Sequence, residues 1–69
     1  MFSISLRQAE HIRRYSISSV EGSGWELKFE EDRELKRRAR YNDWHRVERA
    51  MQAILMEVSD LTARGWKKV

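Results

Sequence analysis

Midway along this chain the apolar positions switch from a period of two to a period of three to four. Trp25, Leu27 and Phe29 alternate with Glu26, Lys28 and Glu30, the repeat of a strand with one face buried. From Trp44 onward the apolar residues are Trp44, Val47, Met51, Ile54, Val58 and Leu61, whose spacing of three and four marks one face of a helix. Ahead of both, residues 12–20 read as another strand: Tyr15 and Ile17 share a face, and Val20 falls out of phase, so a bulge or strand end is expected near Ser19. Glu21-Gly22-Ser23-Gly24 is the hairpin connection, with glycine supplying positive φ. The Gly22-x-Gly24 pair is a poor phosphate loop, because a strand follows it and not a helix N-terminus.

The third strand covers residues 35–41, after a turn at Glu31-Asp32-Arg33-Glu34 whose type the sequence leaves open. Pairing Trp25 with Tyr41 sets Leu27 against Ala39 and, on the other face, Glu26 against Arg40, Lys28 against Arg38 and Glu30 against Lys36. A two-residue slip would instead pair Glu26 with Arg38. Asn42 or Asp43 caps the helix over residues 43–64. Gly65 is the expected left-handed residue at its end, with Trp66 folding back onto Leu61. Residues 67–69 are expected to fray. At the other end, Ser5-Leu6-Arg7-Gln8 reads as a capping box for a short helix over residues 6–12, with an extended arm as the rival reading.

The expected fold class is therefore α+β in a single domain spanning residues 1–69. Residues 1–11 form an arm or short helix, residues 12–41 a three-stranded antiparallel sheet, and residues 43–64 one long amphipathic helix packed across it. The helix would be roughly 33 Å long at ~1.5 Å per residue, whereas a seven-residue strand covers about 23 Å. Unless the strands cross it obliquely, its last turns overhang the sheet, and exposed apolar surface of that kind marks an interface. Met51, Met56, Val58, Leu61 and Trp66 are the candidate interface residues, with a second copy of the chain or another protein as partner. The N-terminal segment, through Phe2, Ile4 and Leu6, could instead fold over that surface.

Composition narrows the functional classes. A chain of 69 residues buries only about 60% of its unfolded surface and leaves little room for a water-excluding pocket, so no small-molecule substrate and no cofactor are expected. There is no cysteine, hence no disulfide staple and no thiolate for zinc. With no basic, long-apolar leader among the first residues and no apolar run near the ~20 residues of a membrane span, the expectation is a cytoplasmic protein without a membrane partner. His11 and His45 are the only histidines. His45 and Glu48 are helix neighbours, but two ligands fall short of a metal site, so the metal and catalytic expectations are both none.

Net charge is +3, a mild bias toward acidic partners. It concentrates in Lys36-Arg37-Arg38-Ala39-Arg40. On a strand Lys36, Arg38 and Arg40 point outward, where they can join Arg14 and Lys28 on one sheet face able to enter a major groove or follow a phosphate backbone. In topology alone, the order sheet then helix resembles the arm-site binding domains of tyrosine integrases and the plant ethylene-response DNA-binding domain, which implies duplex nucleic acid as the ligand of those five residues. A helix–three strands–helix outline would be similar to double-stranded RNA-binding domains. That family places a basic cluster at the start of its second helix, where this chain has Asn42-Asp43-Trp44-His45-Arg46. The competing reading of the basic face is structural, since Glu26 and Glu30 stand opposite and can neutralise it. The sequence thus leads to a small non-enzymatic interaction or assembly module that self-associates through the helix, with a duplex nucleic-acid-binding domain as the alternative.

Overall fold

A computed structural model of the chain describes residues 2–22 and 24–69; Met1 and Ser23, the latter part of the expected hairpin connection, lie outside the described residues. The elements in order are β1 (Phe2–Gln8), β2 (His11–Ser19), β3 (Trp25–Glu31), β4 (Glu34–Tyr41), α1 (Trp44–Ala63) and β5 (Lys67–Lys68). The strands make one antiparallel sheet in the order β4-β3-β2-β1-β5. The expected three-stranded sheet is therefore corrected to five strands, because both ends of the chain join it.

The N-terminal segment is a strand, not a short helix. Phe2, Ile4 and Leu6 pair across from Ile17, Tyr15 and Arg13, so a strict period of two places all three on the face that packs the helix. A six- or seven-residue helix has too few internal hydrogen bonds to compete with that pairing. Nor do the last residues fray: Lys67 and Lys68 pair with Arg7 and Leu6, and the amide of Val69 donates to the carbonyl of Ser5 at 3.1 Å.

Between β3 and β4 the ladder holds Trp25 opposite Tyr41, Glu26 opposite Arg40, Leu27 opposite Ala39 and Lys28 opposite Arg38, then shifts between Phe29 and Glu30. Glu30 meets Leu35, not the expected Lys36, which is the extra residue of a β-bulge. Absorbing that residue leaves a two-residue turn, Asp32-Arg33, with φ of 52° and 71°. Two consecutive positive φ values match the right-handed twist of a hairpin.

Helix α1 begins beside the β4 edge and delivers the chain to β5 at the opposite edge, so it crosses the sheet obliquely. Asp43 caps its start, accepting from the amide of His45 at 3.0 Å. Its end is a Schellman turn: the Trp66 amide donates to Leu61 and the Gly65 amide to Thr62, with Gly65 at φ 105°. The core joins Leu6, Tyr15, Ile17 and Leu27 of the sheet to Val47, Ile54, Val58 and Leu61 of the helix. Tyr15 stacks on Phe29 with ring centroids 4.9 Å apart. Its hydroxyl is buried without a hydrogen-bond partner, and that burial raises its pKa. No helix among the described residues is both long and apolar enough to cross a membrane.

Candidate functional site

One face of the sheet carries the helix and the other is open. Alternation along the paired strands puts Lys67, Arg7, Arg14, Lys28, Arg38 and Arg40 on the open face, with Glu26 and Glu30 as its carboxylates. Ser3, Ser5, Ser16 and Ser18 stand on the same side. Strands β1 and β5 thus extend the basic face with Arg7, Lys67 and two serines that a three-stranded reading could not place there. The signal was present in the alternation of Ser3, Ser5 and Arg7 with Phe2, Ile4 and Leu6.

The five cations expected to act together divide into two groups. Lys28, Arg38 and Arg40 converge on Glu26, at 3.6, 3.4 and 3.4 Å. All three separations exceed the 2.7–2.9 Å typical of a strong charge-assisted hydrogen bond. The Glu26 side chain is only 12% exposed. Its desolvation alone would raise the carboxyl pKa, but Arg38, Arg40 and Lys28 together outweigh it and hold the pKa below the usual value. A single carboxylate cannot neutralise three cations, so this cluster retains excess positive charge.

Arg14 and Lys36 lie apart from it. Arg14 sits opposite Glu30 but forms no ion pair within 4 Å among the described residues, and it borders a shallow concavity of about 470 Å³ with Ser5, Ile12, Glu30 and Asp32. Lys36, displaced by the bulge, pairs at 3.0 Å with Glu34; that hydrogen bond raises its pKa. It leaves the outward row in which the sequence placed it.

The helix candidates also separate. Val58 and Leu61 are buried in the core of this single chain, and Met51 packs against it. Trp66 turns inward over the Arg13 guanidinium, whose carbon lies 5.0 Å from the Trp66 ring centroid and 5.6 Å from that of Phe29. Arg13 also meets Glu31 at 3.0 Å. The expected overhang is thereby corrected: the oblique path and the added strands give the last turns of the helix a sheet to cover. Of the five, Met56 alone is strongly exposed, at 74%, with Leu55 nearby at 47%.

Sequence reading missed one pairing altogether. His11 Nδ1 and Asp32 Oδ2 lie 2.9 Å apart, and Asp32 Oδ1 accepts from the Ile12 amide at 2.9 Å. The Asp32 amide in turn donates to the Ile12 carbonyl, so the turn of β3–β4 is tied to the start of β2. Hydrogen bonding to Asp32 raises the His11 pKa, and the same contact, with the Ile12 amide, lowers that of Asp32. His45 remains an exposed neighbour of Glu48, at 3.7 Å. Among the described residues no three of His, Asp and Glu gather as metal ligands would. Compared with protein-family models, with curated proteins and with solved structures, the chain matches none.

Proposed function

We propose that this chain is a non-catalytic binding module that engages duplex nucleic acid through the open face of its sheet. The observation that carries the reading is the convergence of Lys28, Arg38 and Arg40 on the one carboxylate of Glu26 at long separations, beside an Arg14 without an ion pair among the described residues. Loosely held cations can exchange a protein carboxylate for a phosphate at little cost, and serine hydroxyls on the same face supply neutral donors to phosphate oxygens. Five strands at ~4.8 Å spacing span about 19 Å, wider than the ~12 Å major groove. The face as a whole therefore rides on the phosphate backbone, and binding is largely independent of sequence. It carries no aromatic residue for base stacking, because Trp25, Phe29 and Tyr41 all point to the helix side, which favours duplex over single strands.

The test is titration of a random-sequence duplex at several salt concentrations. With four cations each displacing a counterion, the logarithm of the association constant falls against the logarithm of salt with a slope of about −4. The double variant Arg38→Glu, Arg40→Glu should lose at least tenfold in affinity while its circular dichroism is unchanged. Undiminished affinity in a folded double variant would sink the proposal, as would the absence of wild-type binding at low salt.

A second reading is self-association through the helix, supported by the exposure of Leu55 and Met56. It now rests on those two residues, since Val58 and Leu61 are occupied within the chain. Solution mass across a range of protein concentrations separates the two: doubling of mass without nucleic acid favours the helix.

A further inference from the structure

We propose that the outer edge of β4 is a docking strand for an acidic, extended segment of a partner protein. No strand among the described residues pairs with β4 on the side away from β3, so alternate backbone amides and carbonyls along that edge point to solvent. The opposite edge is less available, because β5 pairs with Leu6 and Arg7 and Val69 bonds to Ser5. Beyond the bulge at Lys36, the ladder of β4 runs unbroken over residues 37–41, opposite Trp25 through Phe29. An added strand in that stretch gains regular main-chain pairing.

Charge selects the occupant. Arg38 and Arg40 lie on the open face of β4, while Arg37 lies on the helix side, its guanidinium carbon 5.7 Å from the Phe29 ring centroid. A second copy of β4 is a poor partner: paired antiparallel about Ala39 within residues 37–41, it sets Arg38 of each copy against Arg40 of the other, and like charges directly opposed destabilise a sheet. Basic edges guard strands against self-pairing in this way, and the same cations attract a strand of opposite sign. Since they occupy both faces of β4, the complementary segment carries acidic residues at consecutive positions, not only at alternate ones. This inference holds whether or not the open face takes nucleic acid.

The experiment uses the full chain and three synthetic ten-residue peptides: one of Glu-Glu pairs separated by single Thr or Val residues, the same peptide N-methylated at every amide so that neither edge keeps its donors, and one with Lys in place of Glu. Fluorescence anisotropy should show binding of the first, at least tenfold weaker binding of the second, and none of the third. N-methylation leaves charge intact and removes main-chain donors, so it distinguishes strand pairing from plain ionic attraction. Amide exchange should slow at alternate residues within 37–41 when the acidic peptide is bound. Arg37→Glu should weaken the peptide at least tenfold and leave duplex affinity within twofold, whereas Arg14→Glu should do the reverse. Equal binding of the plain and N-methylated acidic peptides, no binding of the acidic peptide, or exchange protection confined to other elements would each overturn the proposal.

Discussion

Two glycines in the connection between β2 and β3 look alike in sequence, yet the structure asks different things of them. Gly22 has φ 98° and open space where a Cβ would stand. Gly24 has φ 83°, and a Cβ there would land on the carbonyl oxygen of Tyr41, the last residue of β4. Both positions penalise an L side chain by roughly 1–2 kcal/mol of left-handed backbone strain. Only at Gly24 must the backbone of a neighbouring strand also move. Gly22→Ala should therefore cost about 1 kcal/mol and Gly24→Ala about 3 kcal/mol or more, read as the shift in urea midpoint at constant slope. Equal effects would mean that the end of β4 yields freely. The need for glycine in this loop was legible in the sequence; its division of labour was not, because it depends on a strand 17 positions later in the chain. Glu26 teaches the same lesson. Its pairing with Arg40 follows from register alone, but its sharing among Lys28, Arg38 and Arg40 depends on side-chain reach across neighbouring positions.

Two hairpins, β1–β2 and β3–β4, are joined at one end of the sheet by the contact of His11 with Asp32. Both groups are exposed, so the pair tunes stability modestly and is screened by salt. The His11 pKa is raised, so its contribution is complete below the ordinary histidine value near 6.5 and disappears as pH rises through the raised value. The Asp32 pKa is lowered, so its contribution is complete above the ordinary value of 3.8 and disappears as pH falls through the lowered one. The contact is strongest from about pH 4 to 6.5. Raising pH from 6 to 8.5 should lower the melting temperature of the wild type more than that of His11→Gln, and 1 M salt should narrow the gap. Identical pH profiles would show the contact to be energetically silent. Much of this element-level structure was readable beforehand: the helix from its 3–4 spacing, β3 from its alternation, the cap as Asn42 or Asp43, and the stop from Gly65. The N-terminal strand was hidden by competition between two local patterns. Ser5 and Gln8 fit a capping box, while Phe2, Ile4 and Leu6 fit a strand, and only the presence of β2 as a pairing partner decides between them. Strand β5 has two residues, too few to carry any period, and exists only because the helix returns the chain to β1.

At the scale of the whole molecule, the oblique helix determines which surfaces remain for partners. A 20-residue helix is about 30 Å long at ~1.5 Å per residue, longer than the seven- and eight-residue strands β1, β3 and β4 at about 23–27 Å. Crossing from the β4 edge to the β5 edge fits that length over the width of the sheet as well as along it, and Val58 and Leu61 join Leu6, Tyr15, Ile17 and Leu27 in the core. Apart from Met56, the apolar residues that the sequence offered as a dimer seam are thereby consumed within one chain. What remains outside is the basic face of the sheet, the edge of β4, and a narrow helix surface at Leu55 and Met56. The two pairs of helix residues give a direct test of this division. Stability for 69 residues is expected at about 3–10 kcal/mol, and an unpaired carboxylate in the core costs several kcal/mol. Val58→Asp with Leu61→Asp should therefore abolish cooperative unfolding and collapse the dispersion of the amide NMR spectrum. Leu55→Asp with Met56→Asp should leave the melting temperature within a few degrees of wild type. If Val58→Asp with Leu61→Asp instead gives a well-dispersed, cooperatively melting protein, the two side chains do not belong to the core of a single chain, and the helix is once more the place to look for a second copy.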